Sequence, residues 1–557
     1  MSKQSKALKI GLAQLNSRVG DFQANQSKIT SFIEEAERMG LDLVVFPEMS
    51  LCGYPVWDLA NKRAFVEMGM RALRAIAKTT KQMHVTSVVG MVDYGAKPNG
   101  KNRNALAVIR SGKVLCMQHK TLLPNYDVFL EEIFFEPADQ HHTFKVNQIK
   151  VGASICEDIW DDAYRVKPLQ VLKKKGVQLA LNASASPYHR RAAHIRDALI
   201  RRKAKQNHVW LIYVNQVGGQ DDLVFDGRSM VSDPQGRIVA RVEPFIECLV
   251  PVEIAVGEKR SFDLPLPKIN ETKEMYQALV LGIHDYVEKN GFQKVVVGLS
   301  GGIDSALVAT LAADAIGPER VLGVTMPSKF SSVGSYRDSE ALAKRLGIEF
   351  RTLAIKDSYR HFLQKMEKEN PRSQDQKRKM SLAKENLQAR LRALQLMYIS
   401  NDENRLLLST GNKSEMAMGY CTLYGDMCGG LAVLGDVYKT DVYRICDYRN
   451  SISPVIPEAI LKKAPSAELK PNQKDQDTLP PYEQLDAVLK LYIEENMYER
   501  DIIKRLAKQR VSRKEIVDII KKVDNNEYKR RQTPPIIRVT SKAWFGRRMP
   551  ITNRFRK

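Results

Sequence analysis

The sequence predicts an α/β protein of two domains, and three observations carry that prediction. At 557 residues the chain exceeds the ~250 to 300 at which single hydrophobic cores stop growing. Apolar strand-like runs alternate with helix-like stretches in both halves. Between the halves, GEKRSFDLPLPKIN, 257–270, mixes Pro, Gly and charge and reads as a linker. The expected division is a first domain at 1–256, a linker at 257–270 and a second domain at 271–557.

The first half opens with strand-like ALKIGLAQL, a helical stretch near 23–40, and strand-like LDLVVF, which ends at Pro47 and Glu48. Strand-like HVTSVVGMV, NALAVI, IKVGASI, VQLALNA and VWLIYVN follow, with helix-like stretches at 63–82, 165–175 and 190–206. In the second half a helix at 271–290 leads into the strand Val295 to Val297. Strand-like VLGVTM and LLLSTG then alternate with helix-like 335–346 and 381–400. That alternation implies a parallel sheet with crossover helices, whose sites lie where strands end and loops begin. Two polar segments, 367–380 and 468–481, read as candidate mobile loops. The basic tail from Tyr528 interleaves Pro534, Pro535, Trp544 and Phe545.

The apolar fraction of 43% and charged fraction of 27% are those of a globular protein. No run approaches the ~18 to 20 apolar residues that span a bilayer, and MSKQSKALKIGLAQ has no signal-peptide core, so a soluble, cytoplasmic protein is expected. Seven cysteines, odd in number and with no CxxC pair, argue against a disulfide framework and a zinc ribbon. A net charge of +23 attracts anions of any kind, nucleic acid, acidic lipid or phosphorylated small molecules.

In VVGLSGGIDSALVA, 295–308, a strand gives way to a helix through a glycine turn. Gly298, Gly301 and Gly302 let the backbone approach a ligand, successive N–H groups and the helix start attract anions, and Ser300 and Ser305 add hydroxyls. A Walker A loop needs GxxxxGK before Ser or Thr, and no Lys is present, which disfavours γ-phosphate transfer. GLSGGIDS is similar to the pyrophosphate loop of ATP pyrophosphatases, which cleave ATP between the α and β phosphates. The resemblance implies ATP contacts from Gly298, Leu299, Ser300, Gly301, Gly302, Ile303, Asp304 and Ser305, with Asp304 helping to hold Mg²⁺.

IKVGASICEDIW places Cys156 at the end of a strand-like run. A lone Cys there is usually a small buried hydrophobe. Two charged residues at other strand ends change the reading: Glu48 in FPEMSLCGYP and Lys120 in QHKTLLPNYDVF. A carboxylate can take the thiol proton, and a lysine can favour the thiolate and then the oxyanion of a tetrahedral intermediate. The set resembles the Glu-Lys-Cys triad of the nitrilase (carbon-nitrogen hydrolase) superfamily. That resemblance implies a four-layer αββα sandwich, with Glu48 as general base, Lys120 as oxyanion stabiliser and Cys156 as nucleophile. Glu131 matches a further acid of the superfamily, but Ile133 stands where an Arg is expected.

The two halves together resemble the glutamine-dependent NAD⁺ synthetase family, an ATP-using ligase that forms a C–N bond. STGNKSEMAMGYCTLYGD, ENLQARLRALQL, KAPSAELKPNQKDQDTLPPYEQLD, EYKRRQTPP and PITNRFR carry the match. It implies a C-terminal parallel-sheet, Rossmann-like ATP-pyrophosphatase domain that adenylates deamido-NAD⁺ with ATP and Mg²⁺, releasing pyrophosphate. Ammonia hydrolysed from glutamine then displaces AMP. It adds Thr410 to the ATP site and assigns Asn386, Glu415, Tyr420, Cys421, Thr422, Leu423 and Lys529 to deamido-NAD⁺, with Asp304 and Glu415 as metal residues. Lys413 and Lys439 are candidates for balancing phosphate charge.

On the glutamine side the resemblance points to Tyr126, Ser186 and Glu157. Ala192 occupies a usual basic position, which leaves Arg190 or Arg191 as substitute, and Ile536 stands where Gly is expected. A homodimer or larger homo-oligomer is implied, with no nucleic-acid or membrane partner. The competing readings are a nitrilase-type amidase gated by a nucleotide-binding module, another ATP-pyrophosphatase amidotransferase, and a tRNA-modifying ATP pyrophosphatase.

Overall fold

The sheets of the first half are apolar on both faces, and this determines their layering. In the computed structural model, which describes residues 6–97, 100–257, 262–369, 381–471, 473–509 and 511–553, the chain divides into two units, Met1–Ile269 and Asn270–Lys557. Residues 370–380 of the first candidate mobile loop, 258–261 of the linker and the end of PITNRFR from 554 lie outside the described residues.

The first unit holds two six-stranded sheets. One runs Cys248–Val256, Lys6–Gln14, Leu43–Val45, Thr86–Asp93, Arg103–Arg110, Lys113–His119. The other runs Ile238–Arg241, Met230–Ser232, Trp210–Asn215, Leu179–Ser184, Ile149–Ile155, Thr143–Val146. Side chains alternate across each strand with period two. Leu43 and Val45 join Val151, Leu181, Ile212 and Val214 in a core between the sheets. Val44, from the strand's other face, packs with Ile29, Ile33 and Ile76 of helices Phe22–Arg38 and Arg63–Thr79.

The second sheet repeats the pattern. Ala180, Leu211 and Tyr213 face Leu169 and Leu172 of Pro168–Lys174 and Leu199 and Ile200 of Ala192–Asn207. Three cores separate four layers, α, β, β, α, as the sequence resemblance implied. Each fully buried Val or Leu contributes about 1.5–3 kcal/mol of transfer free energy.

The strands that sequence periodicity did not reveal are short or peripheral, or they pair locally. Val217–Gln220 and Leu223–Asp226 form a separate two-stranded sheet. Cys248–Val256 is an edge strand carrying Pro251 and Glu253 and stays largely half-exposed.

The second unit has a parallel five-stranded sheet in the order Glu349–Thr352, Val321–Thr325, Lys294–Gly298, Arg405–Ser409, Leu431–Ala432. Sequence order reverses between Lys294–Gly298 and Arg405–Ser409. Ligands of such sheets bind in the crevice at that switch point, beyond the carboxyl ends of the strands. Helix Leu382–Asp402 covers one face, packing Leu396 and Ile399 on Val296 and Leu407. Helix Ile303–Ile316 lies against Lys294–Gly298 and Val321–Thr325, flanked by Glu271–Lys289 and Lys439–Ile452.

A separate core joins Tyr482–Leu489, Glu499–Arg505 and Arg513–Asn525 to Met416, Tyr438, Ile536 and Trp544. The basic tail is thus partly structural. Ala432 donates to the Pro535 carbonyl at 2.8 Å, and Trp544 Nε1 donates to the Gly435 carbonyl at 3.0 Å. Ile536, the departure from the family pattern, fills space against Gly435, where a Cβ would meet its side chain at 2.8 Å. Segment 468–481 is anchored: Glu468 accepts from Ser332 and Ser335, and Tyr482 donates to Asp475 at 2.8 Å.

Candidate active sites

In the first unit, Glu48, Lys120 and Glu131 meet inside the protein. Lys120 Nζ donates to Glu48 Oε1 at 2.8 Å and to Glu131 Oε1 at 2.8 Å. Glu48 also accepts from Asn104 Nδ2 at 2.6 Å and from the Ala185 N–H at 2.9 Å, while Tyr54 donates to Glu131 at 3.0 Å. The turn carrying Glu48 crosses close over strand Thr86–Asp93, and glycine permits it: a Cβ on Gly90 would lie 2.3 Å from the Met49 nitrogen. Burial alone would push the Lys120 ammonium down, but Glu131 and Glu48 outweigh it and hold its pKa well above the usual lysine value. Burial raises Glu131, against the pull of Lys120.

Cys156 follows strand Ile149–Ile155 with φ +39, a left-handed conformation that costs about 1–3 kcal/mol in a non-glycine residue and gathers at active sites. Asp158 holds this elbow. Its Oδ2 accepts from the Ile155 N–H at 2.9 Å, and its Oδ1 accepts from Thr121 and Leu122 at 3.0 and 2.9 Å. One carboxylate therefore ties the turn of Cys156 to the residues that follow Lys120. Burial pushes the Cys156 thiol far up; Glu48 raises it further and Lys120 opposes both. The side chain is buried, yet electrostatically it senses the other two members of the set.

Tyr126 and Glu157 are brought together, Tyr126 donating at 2.9 Å and Tyr164 donating to the same carboxylate at 3.0 Å. Ser186 is fixed by Asn215 through its N–H at 2.8 Å and its carbonyl at 3.1 Å. Arg191 is exposed at the N-cap of helix Ala192–Asn207 with φ +69, and Ala192 is buried as the first residue of that helix. Ile133 is 53% exposed, so the absent Arg leaves no hole; Lys120 and Tyr54 are the partners of Glu131. Sequence reasoning missed Asp158, Asn104, Tyr54 and Tyr164. Asp158, two residues after the nucleophile candidate, was the one with a visible signal.

In the second unit a cavity of about 420 Å³ opens at the switch point. It is lined by Gly298, Leu299, Ser300, Gly302, Ile303, Asp304, Ser305 and Thr410, and by Asn386, Glu415, Tyr420, Cys421, Thr422 and Lys529. Gly301 does not line it; at φ +73 its role is steric, since a Cβ would lie 2.5 Å from the Ser335 carbonyl oxygen. Leu423 is likewise absent from the wall, and its carbonyl accepts from Arg390 at 3.1 Å.

The loop braces itself. Ser300 N–H donates to Ser305 Oγ at 3.2 Å, and Gly302 N–H donates to Ser300 Oγ at 3.2 Å. Gly302 caps helix Ile303–Ile316 without a side chain, so its first-turn N–H groups have no intrahelical acceptor.

Lys439 inserts its ammonium between Asp304 and Glu415, 3.3 Å from the latter. Asn412 donates to Asp304 at 3.0 Å and forms a capping box with Glu415, fixing the two carboxylates relative to each other. Burial pushes Glu415 up, with Lys439 opposing and Asp304 adding to the rise. Lys413 stands elsewhere: it is fully buried on Asp436, Thr540 and the Lys542 carbonyl at 2.7–2.8 Å, so it is a structural cation and not a phosphate partner. Lys529 donates to the Gly419 and Cys421 carbonyls at 2.7 and 2.9 Å, and Thr422 donates to Asn386 at 2.9 Å. Asn412 and Asp475 belong to this site although their sequence context did not single them out.

A buried Glu-Lys pair beside a cysteine elbow, and a lysine-free glycine loop at a parallel-sheet switch point, define a class: a nucleotide-using amidotransferase. Residues 9–262 match the carbon-nitrogen hydrolase family model and residues 275–533 the NAD synthase model. The chain is 45% identical over 586 positions to the glutamine-dependent NAD(+) synthetase of Aquifex aeolicus (strain VF5), spanning 99% of this chain and 100% of that one. It is 42% identical over 592 positions to the Thermotoga maritima protein of the same name, spanning 99% and 100%. The structure of glutamine-dependent NAD⁺ synthetase from Acinetobacter baumannii in complex with ADP superposes with TM-score 0.76 at 39% identity, spanning 98% of this chain and 99% of that one. The chain belongs to the glutamine-dependent NAD(+) synthetase family and is a ligase.

Proposed function

We propose that this protein converts deamido-NAD⁺ to NAD⁺ by ATP-dependent amidation, using ammonia hydrolysed from glutamine. The observation that carries the reading is one ammonium, Lys120, bracketed by Glu48 and Glu131 beside Cys156, on the same chain as a lysine-free phosphate loop.

In the first unit Glu48 takes the thiol proton as sulfur attacks the glutamine carboxamide carbon. Lys120 faces the charge that develops on the carbonyl oxygen. Ammonia leaves with the proton from Glu48, and a thioester remains on Cys156. Water, deprotonated by Glu48, attacks the thioester and releases glutamate and the thiol. Tyr126, Glu157 and Ser186 hold the substrate, and Arg191 is the candidate for its carboxylate.

In the second unit the deamido-NAD⁺ carboxylate attacks the α-phosphate of ATP, and pyrophosphate leaves. Ammonia then adds to the acyl carbon of the adenylate, and AMP departs. The carboxylate needs this step because its own oxygen is a poor leaving group, whereas AMP is a good one. Residues 298–305 and Thr410 hold ATP; Asn386, Glu415, Tyr420, Cys421, Thr422, Lys529 and the Leu423 turn serve the dinucleotide. The Acinetobacter baumannii relative was solved in complex with ADP, which supports an adenine nucleotide as a ligand.

The residues present fit Mg²⁺. Asp304 and Glu415 already share one cation, and an all-oxygen carboxylate pair completed by phosphate oxygens and water suits this metal. Bound there, Mg²⁺ supplies charge neutralisation on the phosphates.

No helix among the described residues is long and apolar enough to cross a membrane. Cytoplasmic location and assembly as a homodimer or larger oligomer complete the reading on the family resemblance alone. The test is direct: with ATP, Mg²⁺, deamido-NAD⁺ and glutamine, the protein should form NAD⁺ and AMP in equal amounts. Glutamine hydrolysis without AMP would favour a nucleotide-gated amidase instead.

A further inference from the structure

Among the described residues, four cationic side chains line the switch-point cavity: Arg392, Lys439, Lys463 and Lys529. Three are engaged by the protein. Lys439 lies on Asp304 and Glu415, Lys463 on Ser335 and Glu468, and Lys529 on two backbone carbonyls. Arg392 differs. Its Nε donates to the Met326 carbonyl at 3.0 Å, and among the described residues neither terminal nitrogen takes part in a hydrogen bond or an ion pair.

The acid facing it, Glu468, is already occupied by Ser332, Ser335 and Lys463. Burial pushes the Arg392 guanidinium down to about 10, with only Glu468 pulling the other way. A guanidinium stays charged in proteins, so a half-buried fork whose one nearby acid is already shared among three other donors is a site prepared for an external anion.

Its position indicates which anion. Met326 directly follows strand Val321–Thr325, and Leu396, one turn beyond Arg392 on helix Leu382–Asp402, lies 3.1 Å from where a Cβ on Gly298 would stand. Arg392 therefore sits at the start of the glycine loop. Asn386, which accepts from Thr422, is six positions back, about 9 Å along the axis. The loop itself has no lysine, so its anion-binding groups are dipoles only, and a forked cation supplies the missing full charge.

We propose that Arg392 binds the phosphate chain of ATP, contacting the oxygens that leave as pyrophosphate. The inference rests on the ATP-dependent reading of the cavity. It is tested in full-length protein with ammonium as nitrogen source, measuring wild type first. Arg392→Met removes the fork, and Arg392→Lys keeps charge without it.

The expected result is a rise of about tenfold or more in KM for ATP and in the inhibition constant of pyrophosphate for Arg392→Met, with a smaller rise for Arg392→Lys. KM for deamido-NAD⁺ and calorimetric affinity for AMP should stay within about twofold of wild type. An unchanged pyrophosphate constant in either folded variant would overturn the proposal, as would a loss of AMP affinity equal to that of pyrophosphate. Failure of the wild type to form NAD⁺ and AMP would instead remove the functional reading on which it rests.

Discussion

Lys120 Nζ lies 2.8 Å from Glu48 Oε1, and neither side chain exposes more than 1% of its surface. A charge pair this deep is strongly felt by its neighbours, because little water screens it. Cys156 is one of those neighbours, and the balance there favours the neutral thiol: burial and Glu48 raise its pKa, and Lys120 opposes them. The thiol therefore rests protonated, and in the proposed mechanism its proton moves to Glu48 as the carbonyl is attacked.

The first prediction concerns pH. A raised thiol pKa means that the thiolate fraction grows only on the alkaline side. Inactivation of the free enzyme by iodoacetamide should accelerate continuously with pH and show no inflection below ~8.5, the value of an unperturbed thiol. A rate that has already levelled off by neutral pH would indicate a preformed thiolate.

In the proposed mechanism Glu131 positions Lys120. Glu131→Gln keeps the shape but removes a charge 2.8 Å from the ammonium. It should lower kcat for glutamine-driven synthesis by roughly 10²-fold, the scale of a misplaced catalytic group. Ammonium-driven synthesis should be unchanged, and comparing the two rates on one preparation separates this effect from a loss of folding.

Asp304 and Glu415 confine the Lys439 ammonium. Asp304→Asn leaves a cation site with half its charge, so NAD⁺ formation should fall by at least about tenfold with either nitrogen source, consistent with the loss of a charged contact. Iodoacetamide labelling of Cys156 should be unaltered. Unchanged synthesis would remove Asp304 from the metal and phosphate site.

Lys413 and Asp436 form a fully buried pair at 2.8 Å. Lys413→Met should reduce unfolding free energy by about 3–5 kcal/mol, because a buried carboxylate loses its partner. Denaturant melts would register that loss. Below the melting range, KM for ATP should be unaffected, which separates a structural lysine from a phosphate ligand.

Much of this was legible in the sequence where chemistry and periodicity coincide. Doubly buried strands such as Leu179–Ser184 are continuous apolar runs because one face meets the other sheet and the other meets helices. Glu48, Lys120 and Cys156 were visible as charged or nucleophilic groups at strand ends, and Gly298 to Ser305 as a turn with no other obvious use. What escaped depends on distant partners. Asp158 is important because three backbone N–H groups converge on it. Arg392 stands out because, among the described residues, none pairs with the two terminal nitrogens of its fork. Lys413 and Lys439 look alike in sequence, and only packing sends one into a core and the other into the cavity.

The central claim is a division of labour, nitrogen released at Cys156 and carboxylate activated at the glycine loop. Cys156→Ala measures it most directly, with NAD⁺ formation followed from ATP and deamido-NAD⁺ using glutamine or ammonium. The account predicts that the glutamine-driven rate disappears while the ammonium-driven rate stays at the wild-type level. Loss of both rates in a folded variant, or survival of both, would contradict it.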